Sequence, residues 1–325
     1  MYAAQVNDYG PASDLNVVEV DTPTIDDNQI LVKIGAAGVN PVDTYIRSGT
    51  NNYSTTFPHT PGLDGAGTIV KLGANVTGFN INDRVYFNRN LTGSAAEFAI
   101  CAPENTFPLA DSLSFIEGAC LGVPYTTAYR ALFDRANAKA GQKVLIHGGT
   151  GAVGLAAVQL ALAAGMDVVA STGTSAGEAL LKAQGVQHVI KHNEADHLSP
   201  FQTTPPLSLE NGFDIIIEML ANQNLDQDLK ALNRGGCVAI IGNRATVEIN
   251  PRDLMARDAS VIGVALANIK PDELKRIAQA LYPLLQGQLL KPIVRKTFTL
   301  AELPQAHEAV LESGALGNLV IDLSA

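Results

Sequence analysis

The stretch Lys143-Val-Leu-Ile-His-Gly-Gly-Thr-Gly-Ala-Val-Gly154 constrains this chain more than any other. Val144, Leu145 and Ile146 form a short apolar run without helical period, the pattern of a parallel strand buried on both faces. Gly149, Gly151 and Gly154 follow with G-x-G-x-x-G spacing, and the Ala- and Leu-rich run Leu155 to Ala164 behind them is a strong helix former. In such a strand–turn–helix the first glycine permits a tight turn and the second lets backbone approach a pyrophosphate. The third lets the helix pack closely on the strand. The unsatisfied N–H groups at the helix start, supported by the helix dipole, then face the anion. A second strand, Asp167 to Ser171, completes a βαβ unit of the expected length.

The end of that second strand bears on which dinucleotide fits. A carboxylate about 20 residues beyond the first glycines would bind the ribose 2′-hydroxyl of NAD. Here residues 171–177 read Ser-Thr-Gly-Thr-Ser-Ala-Gly, and no acid appears before Glu178. Ser171, Thr174 and Ser175 are available to hydrogen-bond a 2′-phosphate, so NADP(H) is favoured as a preference; the stretch holds no Arg or Lys.

A length of 325 residues suits two domains, each large enough for its own core. The net charge of −10 and the scattered positive residues argue against a nucleic-acid surface. Cys101, Cys120 and Cys237 are far apart and odd in number, so they form neither a disulfide framework nor a C-x-x-C metal pattern. The start, Met-Tyr-Ala-Ala-Gln-Val, has no basic region or apolar core of a secretory signal, and no apolar run approaches a membrane span. A cytoplasmic protein without a membrane partner is the expectation.

Up to about residue 121, short strands alternate with dense Gly and Pro punctuation, which suits a small β-barrel: Gln29 to Ile34, Gly67 to Leu72 and Arg84 to Phe87 are strand-like. One helix stands out there, with Asn40 as N-cap, Pro41 at the first helical position, Asp43 in the first turn and Gly49 closing it. From about residue 122 the pattern becomes a doubly wound parallel sheet. Helical Tyr125 to Ala138 precedes the glycine loop, and strands at Val186 to Ile190, Asp214 to Glu218, Cys237 to Gly242 and Ser260 to Val264 follow it. Phe201 to Glu210, with prolines too close together for a helix, reads as a surface loop. Amphipathic helices are expected at Asp272 to Gln286 and Glu302 to Ser313, with a last strand, Asn318 to Leu323, returning to the first domain.

Four stretches carry a family resemblance: Gly38-Val-Asn-Pro-Val-Asp-Thr-Tyr-Ile-Arg-Ser-Gly49, Gly122-Val-Pro-Tyr-Thr-Thr-Ala-Tyr-Arg130, Asp214-Ile-Ile-Ile-Glu-Met-Leu-Ala-Asn222 and Glu248-Ile-Asn-Pro-Arg-Asp253. In this order they resemble the zinc-independent quinone oxidoreductases, the zeta-crystallin family of the medium-chain dehydrogenase/reductase superfamily, over almost the whole chain. The resemblance implies a GroES-like β-barrel substrate domain over residues 1–121, completed by 265–325. It also implies a Rossmann NADP-binding domain over 122–264, with the cofactor in the cleft between the two.

It implies cofactor contacts from Tyr45, from Thr150, Gly151, Ala152 and Val153, and from Gly173 and His192. Asn224, Ile241, Gly242, Asn243, Arg244, Val264, Ala265 and Leu266 match further cofactor-lining positions, and Thr127 matches a residue near the nicotinamide. Gly177 stands where some relatives carry a phosphate-binding Lys, and Asn318 replaces a Lys common near the C-terminus. The resemblance also implies a homodimer, paired through an edge strand such as Ser260 to Val264.

Relatives with this fold are often zinc enzymes, whose metal needs thiolate and imidazole ligands. The matching positions here are Asn40, Leu63 and Val123, with Asp64 beside them; Leu and Val cannot ligate, so no metal is expected. His188, His192 and His197 have a metal-like spacing, but His192 matches a nucleotide-contacting position. His147 reads as a packed histidine, and His59 and His307 read as surface residues.

Tyr45 could hold the substrate oxygen or relay a proton to it, Asn40 could cap the helix or point into the pocket, and Asp64 could be structural or functional. The reading is an NADPH-dependent reductase of quinones or conjugated enones without zinc. A conjugated acceptor delocalises charge as it forms, so it needs no Lewis acid. The alternatives are an enoyl-thioester or other alkene reductase, and a protein that binds NADPH without turnover.

Overall fold

The computed structural model describes residues 1–194, 196–202 and 211–324. The chain opens with strands β1 (Tyr2–Gln5), β2 (Asn16–Glu19) and β3 (Ile30–Val39), helix α1 (Pro41–Ser48), and strands β4 (Asp64–Leu72), β5 (Arg84–Asn88), β6 (Phe98–Cys101) and β7 (Thr106–Pro108). Helices α2 (Phe115–Gly118) and α3 (Gly122–Tyr129) follow. Next come β8 (Lys143–Ile146), α4 (Ala152–Ala163), β9 (Asp167–Thr172), α5 (Ser175–Ala183), β10 (His188–Lys191), β11 (Phe213–Glu218), α6 (Ala221–Lys230), β12 (Leu232–Ile240), α7 (Pro251–Met255) and β13 (Ser260–Gly263). Helix α8 (Pro271–Gln286), β14 (Val294–Phe298), α9 (Leu303–Ala309) and β15 (Asn318–Asp322) close the chain.

Two compact units result. Unit 1 is Met1–Thr126 with Ile269–Ala325, and unit 2 is Thr127–Asn268. In unit 2 the strands pair in the order β10-β9-β8-β11-β12-β13, each parallel to its neighbours. Parallel strands covered on both faces must be apolar throughout, and Val144, Leu145, Ile146, Ile216, Ile217 and Val238 are fully buried. Each such side chain contributes roughly 1.5–3 kcal/mol by leaving water. Helix α4 is buried from Gly154 to Ala161, as its nearly all-apolar sequence requires. This is the doubly wound sheet that the alternating pattern predicts.

In unit 1 the sheet order is β14-β15-β3-β4-β5-β7, with β6 also pairing with β3. The C-terminal strand β15 does return to the first part of the chain, antiparallel to β3. Strand β3 runs to Val39, five residues beyond the expected end at Ile34. Its second half is Gly35-Ala-Ala-Gly38, poor in strand propensity, because α2 packs directly against it. A Cβ at Gly35 would collide with the Phe115 ring and one at Gly38 with the Ala119 carbonyl.

Other boundaries also shift. The helix expected from Tyr125 begins at Gly122, and from Arg130 to Arg135 it continues as a π-helical turn. The helix expected over Glu302 to Ser313 is only Leu303–Ala309. Residues 203–210 of the expected surface loop lie outside the described residues. No helix among the described residues is long and apolar enough to cross a membrane.

Candidate functional site

In unit 2 the candidate residues gather at one edge of the sheet. The glycine loop follows β8, Gly173 follows β9, His192 follows β10, residues 241–244 follow β12 and residues 264–266 follow β13. All lie at the carboxyl ends of parallel strands, the place where open α/β sheets bind ligands.

The glycines divide the work differently from the expectation. The turn needs a left-handed residue at Gly148 (φ 56°), one position before the motif proper. Gly149 instead allows close packing, since a Cβ there would stand 2.9 Å from Ala170 Cβ and 3.2 Å from Leu181 Cδ2. Gly151 is the N-cap of α4, and the nearest heavy atom to a Cβ there would be the Gly148 carbonyl oxygen at 3.5 Å. Its backbone is therefore open to a ligand, beside first-turn N–H groups at Ala152 and Val153 that have no intrahelical acceptor. Gly154 has no room for a Cβ against the Gly148 carbonyl, so the helix sits directly on the turn. This cradle fits a dinucleotide pyrophosphate.

Three hydroxyls were expected to serve a 2′-phosphate, and the structure separates them. Ser171 is fully buried, and its Oγ accepts from the Gly148 N–H at 3.1 Å, so it braces the turn and does not face a ligand. Thr174 caps α5 by accepting from the Gly177 N–H at 3.0 Å, and it is exposed, as is Ser175. Glu178, the first acid after β9, is paired with Lys182 at 2.6 Å and Lys191 at 3.5 Å; the Lys182 hydrogen bond holds its carboxylate below the usual range. Gly177 is buried under Thr172 and Thr150, and a side chain there would collide with Thr172 Oγ1. The His192 ring covers Gly173, with Nε2 2.8 Å from where a Cβ would be.

The remaining unit 2 positions are held by their neighbours. The Arg244 N–H donates to Asn222 Oδ1 at 3.0 Å, and Asn243 Nδ2 donates to the Ala245 carbonyl at 2.7 Å. The Ile241 N–H bonds the Glu218 carbonyl, and Gly242 lies against the Met219 backbone. Asn224 Nδ2 donates to Glu218 Oε1 at 3.2 Å. Thr127 and Thr150 are buried, Val264 is buried, Ala265 is exposed and Leu266 is half-buried.

In unit 1 the helix α1 positions the other candidates. Asn40 stands at its N-cap, but its side chain makes no capping hydrogen bond. Asp43 does that work in reverse, accepting from the Asn40 N–H at 2.8 Å and from the Leu63 N–H at 3.2 Å. Asn40 Nδ2 donates to Asp64 Oδ2 at 2.9 Å. The Val123 N–H reaches both Asp64 oxygens, at 2.9 and 2.8 Å. Burial pushes Asp64 up to about 8 and Asp43 up to about 7, with backbone N–H groups pulling the other way. Tyr45 is half-buried one turn along α1, its ring centroid 6.2 Å from that of Tyr53.

The four positions matching a zinc site therefore meet around one carboxyl group, yet they do not fit a metal. Leu63 and Val123 offer no side-chain donor, and both Asp64 oxygens already accept hydrogen bonds. Asn318 likewise has a local duty, with Nδ2 donating to the Ile293 carbonyl at 2.9 Å. His307, expected at the surface, is 2% exposed within unit 1, and His59 is half-buried. Sequence reasoning passed over Glu218 and Asp228, both fully buried beside His147. The signal was present: Asp228 lies on the same helical stripe as Ala221, Leu225 and Leu229, where a charge is out of place.

A glycine-rich turn at the carboxyl edge of a doubly wound sheet, in a chain that also carries a separate mostly antiparallel unit, defines a dinucleotide-dependent protein of the alcohol dehydrogenase architecture. The Alcohol dehydrogenase GroES-like domain family matches residues 26–119, and the Zinc-binding dehydrogenase family matches residues 152–282. The quinone oxidoreductase of Homo sapiens is 41% identical over 323 residues, which is 99% of this chain and 97% of that protein. The quinone oxidoreductase of Coxiella burnetii superposes with a TM-score of 0.82 at 27% identity, covering 99% of both chains. An NAD-dependent alcohol dehydrogenase superposes with a TM-score of 0.90 over 99% of this chain and 100% of that one; at 23% identity it speaks for the fold alone. The chain belongs to the quinone oxidoreductase family of the medium-chain dehydrogenase/reductase superfamily. It is an oxidoreductase working with a nicotinamide cofactor.

Proposed function

We propose that this enzyme reduces quinones or conjugated enones with NADPH and without zinc. The observation that carries the reading is the replacement of a metal centre by the Asn40–Asp64–Val123 cluster, which leaves no Lewis acid for a simple ketone. The names of the similar proteins point to the same substrate class. The bound nicotinamide supplies the hydride, and the protein's residues do the positioning.

In this reading the backbone N–H groups of Ala152 and Val153 hold the pyrophosphate, which the missing side chain of Gly151 lets approach closely. Thr174 and Ser175 bond the 2′-phosphate, and the pairing of Glu178 with two lysines supports NADPH, because that carboxylate is already neutralised by its partners. Gly173, His192, Asn224 and the segments 241–244 and 264–266 line the rest of the cofactor, with Thr127 near the nicotinamide. Tyr45 orients the substrate oxygen, and Asn40 supports it from the helix start.

Following NADPH and NADH absorbance across a panel of quinones, enones and enoyl thioesters tests the proposal. Hydrogen bonds to a charged group are worth roughly 1.5–3 kcal/mol, so one or two imply at least about a tenfold NADPH preference. Quinones turning over faster than enoyl thioesters is the expected result. Faster thioester reduction would make this an alkene reductase, and cofactor binding without turnover of any acceptor would make it a binding protein. Equal kcat/KM for the two cofactors would remove the NADPH assignment.

A further inference from the structure

Behind the glycine turn lies a buried polar group that hydride transfer does not use. His147 Nε2 stands 2.8 Å from Asp228 Oδ1 and 3.5 Å from Glu218 Oε2. The three residues are 2%, 0% and 0% exposed, and they come from the end of β8, from α6 and from the end of β11. Glu218 Oε1 is occupied by the Leu220 N–H and Asn224 Nδ2. The other oxygens, Glu218 Oε2 and Asp228 Oδ2, are buried and accept no hydrogen bond among the described residues. The two carboxyl groups nevertheless face each other, with one oxygen of each and a His147 ring nitrogen all within 4.8 Å of one another.

Two ionised carboxylates would leave both acceptors empty and place two negative charges out of water, at a cost that proteins avoid. One proton held between them supplies the missing donor to both. His147 then donates from Nε2 to Asp228, which leaves Nδ1 as an acceptor facing Ser171 Oγ at 3.4 Å. Ser171 in turn accepts from the Gly148 N–H through Oγ and from the Gly149 N–H through its carbonyl at 2.9 Å. The hydrogen-bonded chain thus runs from the carboxyl pair to the backbone of the turn.

We propose that Glu218, Asp228 and His147 form a proton-sharing unit that positions the glycine turn through Ser171 and makes cofactor affinity depend on one buried proton. This rests on the reading of the turn as the pyrophosphate site. Burial raises both carboxyls to about 7 and lowers His147, so the proton belongs to the carboxyl pair and leaves within the neutral-to-alkaline range. Among the described residues, the other titratable groups facing the unit are His192, whose Nδ1 is 3.4 Å from Ser171 Oγ, and His197, whose ring centroid is 6.5 Å from that of His147. Burial holds His192 below the ordinary imidazole value, so its loss of charge is complete before the alkaline side. When the proton leaves, two facing anions repel each other and an incoming pyrophosphate alike.

The test is the dissociation constant of NADPH by fluorescence titration, from about pH 6.5 to about pH 9, above the ordinary titration of a 2′-phosphate near 6. Wild type is expected to weaken at least about fivefold across that range. Asp228→Asn, which supplies a permanent donor to the carboxyl beside it, is expected to change less than about twofold. Ser171→Ala, which cuts the connection and keeps the pair, should flatten the profile as well. An infrared band of a protonated carboxyl, present at the acid end and lost at the alkaline end, reads the pair in wild type without any variant.

A wild-type profile that is flat, or variants that keep the wild-type slope, would overturn the proposal. So would one tightly held metal ion per chain whose removal by chelator changes NADPH affinity, since a cation would then bridge the carboxyls. Absence of NADPH binding at every pH would instead bring down the cofactor-site reading on which the proposal stands. Binding with no pH dependence leaves that reading intact and removes only the proton unit.

Discussion

Asn40 and Asp64, 24 residues apart in sequence and at positions that the resemblance matches to a zinc site, meet at 2.9 Å. The amide donates to one carboxyl oxygen while the Val123 N–H reaches both, so the carboxyl is saturated by the protein itself. Elemental analysis should accordingly find well under one zinc per chain, and incubation with a chelator should leave quinone reduction unchanged. Loss of activity that zinc restores would refute this.

The Tyr45 hydroxyl has no hydrogen-bond partner among the described residues that would activate it as an acid. Tyr45→Phe should therefore lower quinone kcat/KM by less than about tenfold, under roughly 1.4 kcal/mol of transition-state binding. A general acid would lose about 10²–10⁴ in rate. Tyr45→Ala should cost more than the Phe variant by removing the ring. Steady-state kinetics of the two variants, with NADPH affinity measured alongside, separates these outcomes.

Gly177 is a packing requirement, because a Cβ there would collide with Thr172 Oγ1 and stand 3.0 Å from Thr150 Cγ2 in the glycine loop. Overpacking of this kind costs roughly 1–3 kcal/mol. Gly177→Ala should show that loss in urea unfolding and should raise the KM for NADPH while leaving the KM for quinone nearly unchanged. An unaltered stability and cofactor KM would mean that the site relaxes without consequence.

His307 is buried, its Nδ1 has no hydrogen-bond partner among the described residues, and burial, aided by the nearby Arg47 cation, lowers it to about 3. Between its unfolded value of about 6.5 and that figure, the unfolded chain binds a proton that the folded protein refuses. Stability from this residue is thus complete above about pH 6.5 and is lost as the pH falls, by up to about 1.4 kcal/mol per pH unit. Buried carboxyls such as Asp43 and Asp64, whose values are raised, push in the opposite sense, so the comparison must be between wild type and His307→Gln. From about pH 6.5 to about pH 5 wild type should lose roughly 1.6 kcal/mol relative to the variant in urea unfolding. Parallel stability curves would contradict the assignment.

Strand β13 lies at the edge of the unit 2 sheet and pairs only with β12 among the described strands. A two-fold pairing of this edge with a second copy would extend the sheet and cover its free backbone groups. Light scattering at micromolar concentration should give a dimer mass, and Val261→Pro, on this strand, should shift it toward the monomer. A monomer mass for the unaltered protein would count against the pairing.

What the sequence determined by itself is what short-range chemistry dictates. The glycine spacing after an apolar run, the Asn-Pro-x-Asp start of α1, and the alternation of strand and helix from residue 143 onward identify elements through local backbone demands. They place the glycine turn correctly between β8 and α4 because the motif, the strand before it and the helix behind it are contiguous. The four stretches of resemblance add the family for the same reason, each being read in place.

What only the tertiary structure decided is which polar groups end up out of water and beside whom. Gly148, and not Gly149, takes the left-handed turn, because Gly149 is pressed against Ala170 of the neighbouring strand. His307 reads as exposed on a short helix, yet the packing of α9 within unit 1 covers it. His147 finds Asp228 across 81 residues, and Ser171 turns inward to hold the glycine turn instead of outward to a phosphate. A hydrophobic pattern specifies which face of an element is buried. The partner that a buried charge meets is set by the element packed over that face, a long-range choice that no local spacing encodes.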